Sequence, residues 1–508
     1  MNINNLPIEI LERIFLNLPL SDRKNVSIVC QRWSHAAFSW PCLGGVDLSI
    51  NSSVCTDQAL STIASSQRGY RNVRFRIDQP VFGACQEQAL VRILHKHRHS
   101  LERLLFIWAV EGQVFDVETF FRIARYIPLL KELCIEDCMN SSTEDGLLQG
   151  IPIESFKCVE KIVVPSCLMN NTHFDLAKLA PHANHVCVEF TGRHPWEAIQ
   201  RLSQQLLSLR IAIATAYSFR PLWESKPTRL QKLSLSRNCS ELMESSGIKF
   251  EEACNFFPSC GGLTVLELNF HVPNRLLEII TVCCPRLKTL LVCDIYDGWQ
   301  LLRTLQRLEN LTYLTIQETT FDAKHPNDAS LRLSALEYIK LESIGLDNDL
   351  EFFNRLAQYI PNLNGLQFSN YGKFNDAQYN ASVLKSLFCA RFSNLELLIL
   401  DDFSCVFPSH MLDHLNNQPR LKELGLRFCD ISPWSRTITI PSVRKMALEI
   451  PLTANRERNL KNVFPSLTQT VYAIESLSER ISPSEFYNPT NKRIGLRSTS
   501  TDDFREHF

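Results

Sequence analysis

The sequence predicts an α/β protein: a short N-terminal domain of three helices, then a repeat solenoid with a curved parallel sheet inside and helices outside. Three observations lead to this reading. The phrase Leu-x-x-Leu-x-Leu recurs through most of the 508 residues. Between its copies lie segments whose apolar residues fall at helical spacing, such as Leu350, Phe353 and Leu356. The stretch Leu6 to Trp40 lacks the phrase and carries a helical pattern of its own.

In that stretch Ile10, Leu11, Ile14, Phe15 and Leu18 line one broad apolar face of a helix. Pro7 stands in its first turn, where no amide donor is needed, and Pro19 ends it. A second helix is predicted to start at Ser21, an acceptable N-cap, with Asp22 placed where its charge suits the helix dipole. Val26 and Val29 share one face of that helix, and Trp33 and Trp40 lie beyond it. Three short helices hold more large apolar groups than they can bury among themselves. Either the rest of the chain or another protein must cover them.

Leu6-Pro7, Glu9, Ile10-Leu11, Ile14-Phe15, Leu18, Asp22, Val29-Cys30, Trp33 and Trp40 make this stretch resemble an F-box. That motif docks substrate receptors on the Skp-type adaptor of SCF ubiquitin ligases. The resemblance implies that Leu6, Pro7, Ile10, Leu11, Ile14, Phe15 and Leu18 touch the adaptor, and that cullin and a RING protein follow through it. The competing reading is a helical cap whose apolar face turns inward onto the repeats.

The repeat phrase is clearest at Leu230-Leu233-Leu235, Leu263-Leu266-Leu268, Leu287-Leu290-Val292 and Leu311-Leu314-Ile316. It continues at Leu336-Ile339-Leu341, Leu363-Leu366-Phe368, Leu395-Leu398-Leu400 and Leu421-Leu424-Leu426. Degenerate copies stand at Leu101-Leu104-Phe106, Leu130-Leu133-Ile135, Val159-Ile162-Val164, Leu206-Leu209-Ile211 and Val443-Met446-Leu448. Val46-Leu48 and Val73-Phe75 read as the opening pair. The clear copies start about 24 to 27 residues apart, with two longer gaps, which is the leucine-rich-repeat range. Each Leu-x-Leu alternation is a short strand with its leucines pointing inward. Helices are expected over Asn274 to Val282, Gly298 to Leu308 and Asp349 to Tyr359, so strand-and-helix wedges stack into a horseshoe. Cys138, Cys167 and Cys429 occupy the slot that turns the backbone out of the strand, and Cys283-Cys284-Pro285-Arg286-Leu287 resembles the cysteine-containing repeats of F-box proteins.

Ser240 to Gly247 reads as a loop insertion, Phe321 to Asp328 as an exposed loop, and Asn370 to Asn380 as a third irregular stretch. The repeat phrase stops near Leu477. The resulting domains are residues 1–44 for the helical motif, 45–476 for the repeats and 477–508 for a tail.

Hydrophobic content of 45% and charged content of 21% are those of a folded globular protein. A formal net charge of -1 offers no electrostatic reason for a nucleic-acid or anionic-membrane partner. No apolar run is long enough to span a bilayer, and the N-terminus does not read as a signal peptide. Eighteen cysteines without a Cys-x-x-Cys pair point to buried, reduced thiols, hence a cytoplasmic or nuclear location. Cys283-Cys284 and Cys134/Cys138 are assigned to repeat-core slots. His95, His97 and His99 alternate, yet no carboxylate or cysteine completes a metal site, and the expectation is a cationic helix end before the Leu101 strand. No phosphate loop, dinucleotide fingerprint or nucleophile elbow occurs, so neither catalysis nor a cofactor is predicted.

The repeats instead predict a binding face. The third, fifth and seventh positions of each copy point to the concave side. The third-position ladder runs Thr289, Tyr313, Tyr338, Gly365, Leu397, Glu423, Lys445, which sets Tyr313 beside Tyr338 with space at Gly365. Fifth positions add Thr315, Lys340 and Gln367; seventh positions add Gln317, Glu342, Ser369, Asp401, Arg427 and Glu449. Tyr313, Tyr338, Lys340, Glu342 and Gln367 are the candidate target-binding residues, since paired tyrosines offer large area with few rotors. The mixed charge favours a protein partner. A solvated sheet with ordinary cross-strand neighbours is the plainer alternative. Together with the F-box resemblance, the face implies a non-catalytic substrate receptor of an SCF ubiquitin ligase. The rival readings are a leucine-rich-repeat scaffold and an enzyme with its site in a long loop.

Overall fold

The computed structural model describes residues 3–43, 46–51, 56–66, 68–77, 84–108, 127–137, 156–169, 174–190, 196–213, 220–237, 254–322, 330–347, 351–369, 377–401, 413–427, 439–448 and 460–471. The chain divides into two compact units, Met1–Arg229 and Leu230–Phe508.

The first unit opens with four short helices: α1 (Ile8–Leu16), α2 (Leu20–Ser27), α3 (Gln31–Ala37) and α4 (Trp40–Leu43). Pro7 caps α1, its carbonyl accepting the amides of Ile10 at 3.1 Å and Leu11 at 3.2 Å. Pro19, and not Ser21, caps α2, because its carbonyl already takes the amides of Asp22 and Arg23, each at 3.0 Å. A proline loses no donor there, and its fixed φ suits the entry. Val29 lies past the end of α2, so it does not share a helix face with Val26.

After α4 come β1 (Asp47–Asn51), α5 (Asp57–Ser65), β2 (Asn72–Ile77), α6 (Ala84–His97), β3 (Arg103–Trp108), β4 (Glu132–Asp137), β5 (Lys161–Val164), β6 (His185–Phe190) and β7 (Ser208–Ile213). All pair in parallel. One inward row runs in register through Val73, Leu104, Leu133, Ile162, Val186 and Leu209, every member buried. The degenerate copies are therefore genuine repeats. Two readings change. The inward pair of β1 is Leu48 and Ile50 rather than Val46 and Leu48, because Leu48 pairs with Val73 and Ile50 with Phe75. β6 is a copy the pattern missed, since its first apolar position is the small residue Ala183.

The second unit carries β8 (Lys232–Arg237), β9 (Val265–His271), β10 (Thr289–Cys293), β11 (Tyr313–Gln317), β12 (Thr320–Asp322), β13 (Tyr338–Glu342), β14 (Gly345–Asp347), β15 (Gly365–Ser369), β16 (Leu397–Asp401), β17 (Glu423–Arg427), β18 (Lys445–Leu448) and β19 (Gln469–Val471). The row Leu266, Leu290, Leu314, Ile339, Leu366, Leu398, Leu424 and Met446 is in register and buried throughout. Each such side chain contributes about 1.5–3 kcal/mol relative to exposure. Helices Asn274–Cys283, Gly298–Leu305 and Phe352–Tyr359 close the wedges, as their spacing predicts.

Two hydrogen-bond devices lock one repeat to the next. The Lys288 carbonyl accepts the amides of Thr312 at 2.9 Å and Tyr313 at 3.0 Å; the Thr312 carbonyl does the same for Glu337 and Tyr338. In the turns before the strands, an asparagine donates to a carbonyl of the preceding repeat: Asn310 to Pro285 at 3.0 Å, Asn362 to Ser334 at 2.7 Å, Asn394 to Pro361 at 2.9 Å.

β12 and β14 form a separate small sheet. Phe321, expected in an exposed loop, belongs to β12 and is fully buried against Trp299 and Phe352. A short strand that can reach an aromatic pocket gains more from burial than from solvation. Residues 323–329 of that loop, the insertion Ser240 to Gly247, residues 370–376, Cys138, Cys429, Glu449 and the tail beyond residue 471 lie outside the described residues.

Candidate functional site

The amphipathic face of α1 divides in two. Leu11 and Phe15 are buried with Ala36, Ala37 and Cys42, and Trp33 tilts onto Phe15 with ring centroids 5.5 Å apart. Leu6 and Leu18 are half-buried at the margin of this cluster, and Pro7 is exposed. Ile10 and Ile14 are each 39% exposed although they flank the buried pair. Of the seven candidate adaptor contacts, Leu11 and Phe15 thus hold the helices together, while Ile10, Ile14 and Pro7 face outward. Four short helices have room for only one apolar face in their own core.

The structure adds residues that helical periodicity did not select. Leu16, Leu20, Ile28 and Val29 are also exposed, Ile28 at 84% and Val29 at 60%. Arg32 fixes the N-terminal turn by donating to the Asn4 and Leu6 carbonyls, and Trp33 Nε1 donates to Asn4 Oδ1 at 2.9 Å. The exposed apolar residues are therefore presented on a braced scaffold.

In the second unit the register places Tyr313 beside Tyr338 and Tyr338 beside Gly365. The tyrosine rings stack, with centroids 4.8 Å apart and planes 6° from parallel. Tyr338 also packs against the apolar cluster Leu397, Ile399 and Ala447, so the room beside Gly365 is not left vacant. Burial, and then the neighbouring Tyr338 and Glu337, hold the Tyr313 hydroxyl above its ordinary pKa. Lys340 Nζ lies 2.6 Å from Glu342 Oε1, and the Gln317 amide donates to the other Glu342 oxygen. The tyrosine stack and this polar group neighbour each other on β11 and β13, half-buried at both tyrosines and at Lys340 and buried at Glu342.

The ladder is not evenly open. Gln367 is only 3% exposed, its Oε1 has no hydrogen-bond partner among the described residues, and Ser369, Ile399 and Asp401 are buried beside it. Gln367 presents almost no area, in contrast to the solvated position expected from spacing. Burial on this side of a strand depends on what lies across it, which a period of two does not report.

Cys134 is buried, as its repeat-core assignment expects, although on the face of the strand opposite Leu133 and Ile135. It clusters there with Leu105, Ile107 and Val163, and burial pushes its thiol well above the ordinary range. Cys260 is raised to about 12 and Cys284 also upward, both by burial, so these thiols stay protonated. The histidine trio separates as well. His95 and His99 contact Arg98 at the surface, whereas His97 is buried against Tyr70. Among the described residues, no group of three or more His, Cys, Asp or Glu is placed to hold a metal ion, and no helix is long and apolar enough to cross a membrane.

The family model for the F-box domain matches residues 3–42. The chain thus carries an F-box domain at its N-terminus, followed by strand-and-helix repeats. A search of curated proteins finds no match. Among solved structures the chain is similar to that of a TLR13–ssRNA13 complex, with 14% identity and a TM-score of 0.38, covering 84% of this chain and 65% of that one. It is also similar to the leucine-rich repeat-containing protein LegL7 from Legionella pneumophila, with 13% identity and a TM-score of 0.34, covering 58% and 97%. An internalin (inlF) from Listeria monocytogenes gives 12% identity and a TM-score of 0.27, covering 82% and 89%. At these scores the repeat assignment rests on the chain's own strand register and buried rows.

Within the F-box, the outward residues Ile10, Ile14, Leu16, Leu20, Ile28 and Val29 form the candidate adaptor edge. Within the repeats, Tyr313, Tyr338, Lys340 and Glu342 form the candidate target patch.

Proposed function

We propose that this F-box/leucine-rich-repeat protein is the substrate-recognition subunit of an SCF-type E3 ubiquitin ligase. The F-box binds a Skp-type adaptor, and through it cullin and a RING protein. The repeats bind a target protein for ubiquitination and proteasomal degradation, in the cytoplasm or the nucleus. The observation that carries the reading is an F-box whose core is satisfied while Ile10, Ile14, Ile28 and Val29 remain outward.

The chemistry this role requires is proximity. Holding a target lysine near a charged conjugating enzyme raises its effective concentration, and no side chain of the receptor takes part in bond making. The target patch suits that work: a stacked tyrosine pair offers rigid amphipathic area, and the Lys340–Glu342 pair beside it contributes orientation more than affinity.

The deciding experiment is co-purification of the full chain with the adaptor and cullin. The proposal expects a stable complex that Ile10→Asp/Ile14→Asp abolishes while far-ultraviolet circular dichroism stays unchanged. A folded chain that never associates with the adaptor leaves the second reading, a leucine-rich-repeat scaffold outside ubiquitination.

A further inference from the structure

On the strand-entry side of β16–β18 the second unit holds a cleft of about 390 Å³, lined by Glu396, Arg420, Lys422, Arg444 and the turn residues Pro419 and Ser442. Three cations face one carboxylate in a chain whose formal net charge is -1. Lys422 Nζ is held 2.7 Å from Glu396 Oε1, and the Arg420 guanidinium donates to Asn394 Oδ1 at 2.6 Å. The Arg444 side chain is exposed and makes no such contact among the described residues.

The backbone at this edge is already used. The Lys422 carbonyl accepts the amides of Arg444 and Lys445, and the Arg444 carbonyl accepts the Thr468 amide and hydroxyl. The cations are therefore not needed to cap carbonyls. Lys422 and Arg444 stand on adjacent strand entries, joined by that 2.8 Å amide bond. Like charges on neighbouring strands destabilise a sheet, and an anion between them reverses the sign of that interaction. Elsewhere along the same row the second positions are Thr264, Lys288, Thr312, Glu337 and Asn364, with no two cations adjacent.

We infer that this cleft binds a phosphoryl group, gripped by the Arg444 and Arg420 guanidinium forks with Lys422 as a point charge between them. Ser442 is placed to add a neutral donor. The site stands apart from the ligase reading, because neither the F-box nor the tyrosine patch contributes to it. The phosphoryl group is carried on a protein side chain or is free in solution.

The test uses the full chain in about 150 mM salt, where weak surface attraction is largely screened. Inorganic pyrophosphate is titrated calorimetrically into the wild type, Arg444→Gln and Lys288→Gln, the last being a cation at the same edge of a different repeat. Saturable one-to-one binding that weakens about tenfold or more in Arg444→Gln and stays unchanged in Lys288→Gln supports the site. No saturable binding, or equal binding by all three proteins, overturns it. Because the Arg444 side chain is exposed and makes no hydrogen bond or ion pair among the described residues, its loss is not expected to unfold the repeat. A phosphoserine pentapeptide and inorganic phosphate, compared in the same cell, identify the source: tighter binding of the peptide assigns a protein-borne group, tighter binding of phosphate a soluble one. Either result supports the cleft.

Discussion

Tyr313 and Tyr338 lie face to face across β11 and β13, 4.8 Å between ring centroids and 6° from parallel. Their backbones are fixed from both sides, since the Thr312 carbonyl takes the Tyr338 amide and the Lys288 carbonyl takes that of Tyr313. Beneath the same repeats Trp299, Phe321, Phe352, Phe353 and Phe368 form a continuous aromatic core. A pair ordered before binding loses little entropy when a partner arrives.

Replacing both tyrosines by alanine is expected to leave adaptor binding intact and to reduce target capture sharply. Removing the stack costs about 0.5–1.5 kcal/mol beyond the area the two half-buried rings cover, and far-ultraviolet circular dichroism checks that the repeats of the double variant stay folded. Proximity labelling with wild type and double variant reads the difference. Unchanged capture of every F-box-dependent target would falsify the patch.

The two sides of α1 make opposite predictions. Leu11→Ala removes a side chain at 0% exposure and is expected to cost about 2–5 kcal/mol of F-box stability, read by chemical denaturation. Ile10→Asp replaces a residue at the surface and is expected to leave stability within about 0.5 kcal/mol while weakening the adaptor complex.

His97 predicts a pH dependence. It is 2% exposed, takes the Tyr70 amide on Nδ1, and its pKa is lowered from 6.5 to about 4, first by burial and then by Lys96. Between those values the unfolded chain holds the proton and the folded one does not. Stability is therefore untouched above pH 6.5 and falls as pH drops from 6.5 toward about 4, by up to about 3 kcal/mol. Denaturation from pH 7.5 downward should show an extra loss in the wild type that is missing in His97→Gln. Parallel curves for the two proteins would rule this out.

Gly298 lies where a Cβ would collide with the Phe321 ring. Gly298→Ala is expected to destabilise the second unit by about 1–3 kcal/mol, because the ring is confined by Trp299 and Phe352 and has nowhere to retreat. Gly298→Ala/Phe321→Leu should recover part of the loss. A thermal melt distinguishes the two.

Asn362→Ala deletes the donor that joins its turn to the Ser334 carbonyl. A cost of about 1 kcal/mol is expected, with Asn362→Asp no better, since a carboxylate cannot donate. Amide exchange at the strand entries of β13 and β15 reports it.

The architecture was legible because a repeat writes its constraints many times. Leu-x-Leu alternation set the inward rows, and every first, fourth and sixth position of the clear copies is buried. β6 escaped because Ala183 is a weak signal, and Phe321 because a three-residue strand has no period to detect. The adjacency of Tyr313 and Tyr338 also followed from the sequence, since parallel register across equal repeats leaves no other pairing.

What the sequence alone could not decide is which apolar and polar groups remain accessible. Periodicity placed Ile10 and Leu11 on one face, and packing of α3 and α4 against α1 buried the second and left the first outward. Periodicity placed Lys340 and Gln367 in equivalent slots, and only the fold made one half-exposed and the other buried. Spacing along a chain determines direction. Accessibility is a property of what lies opposite, and that is set by residues far away in sequence.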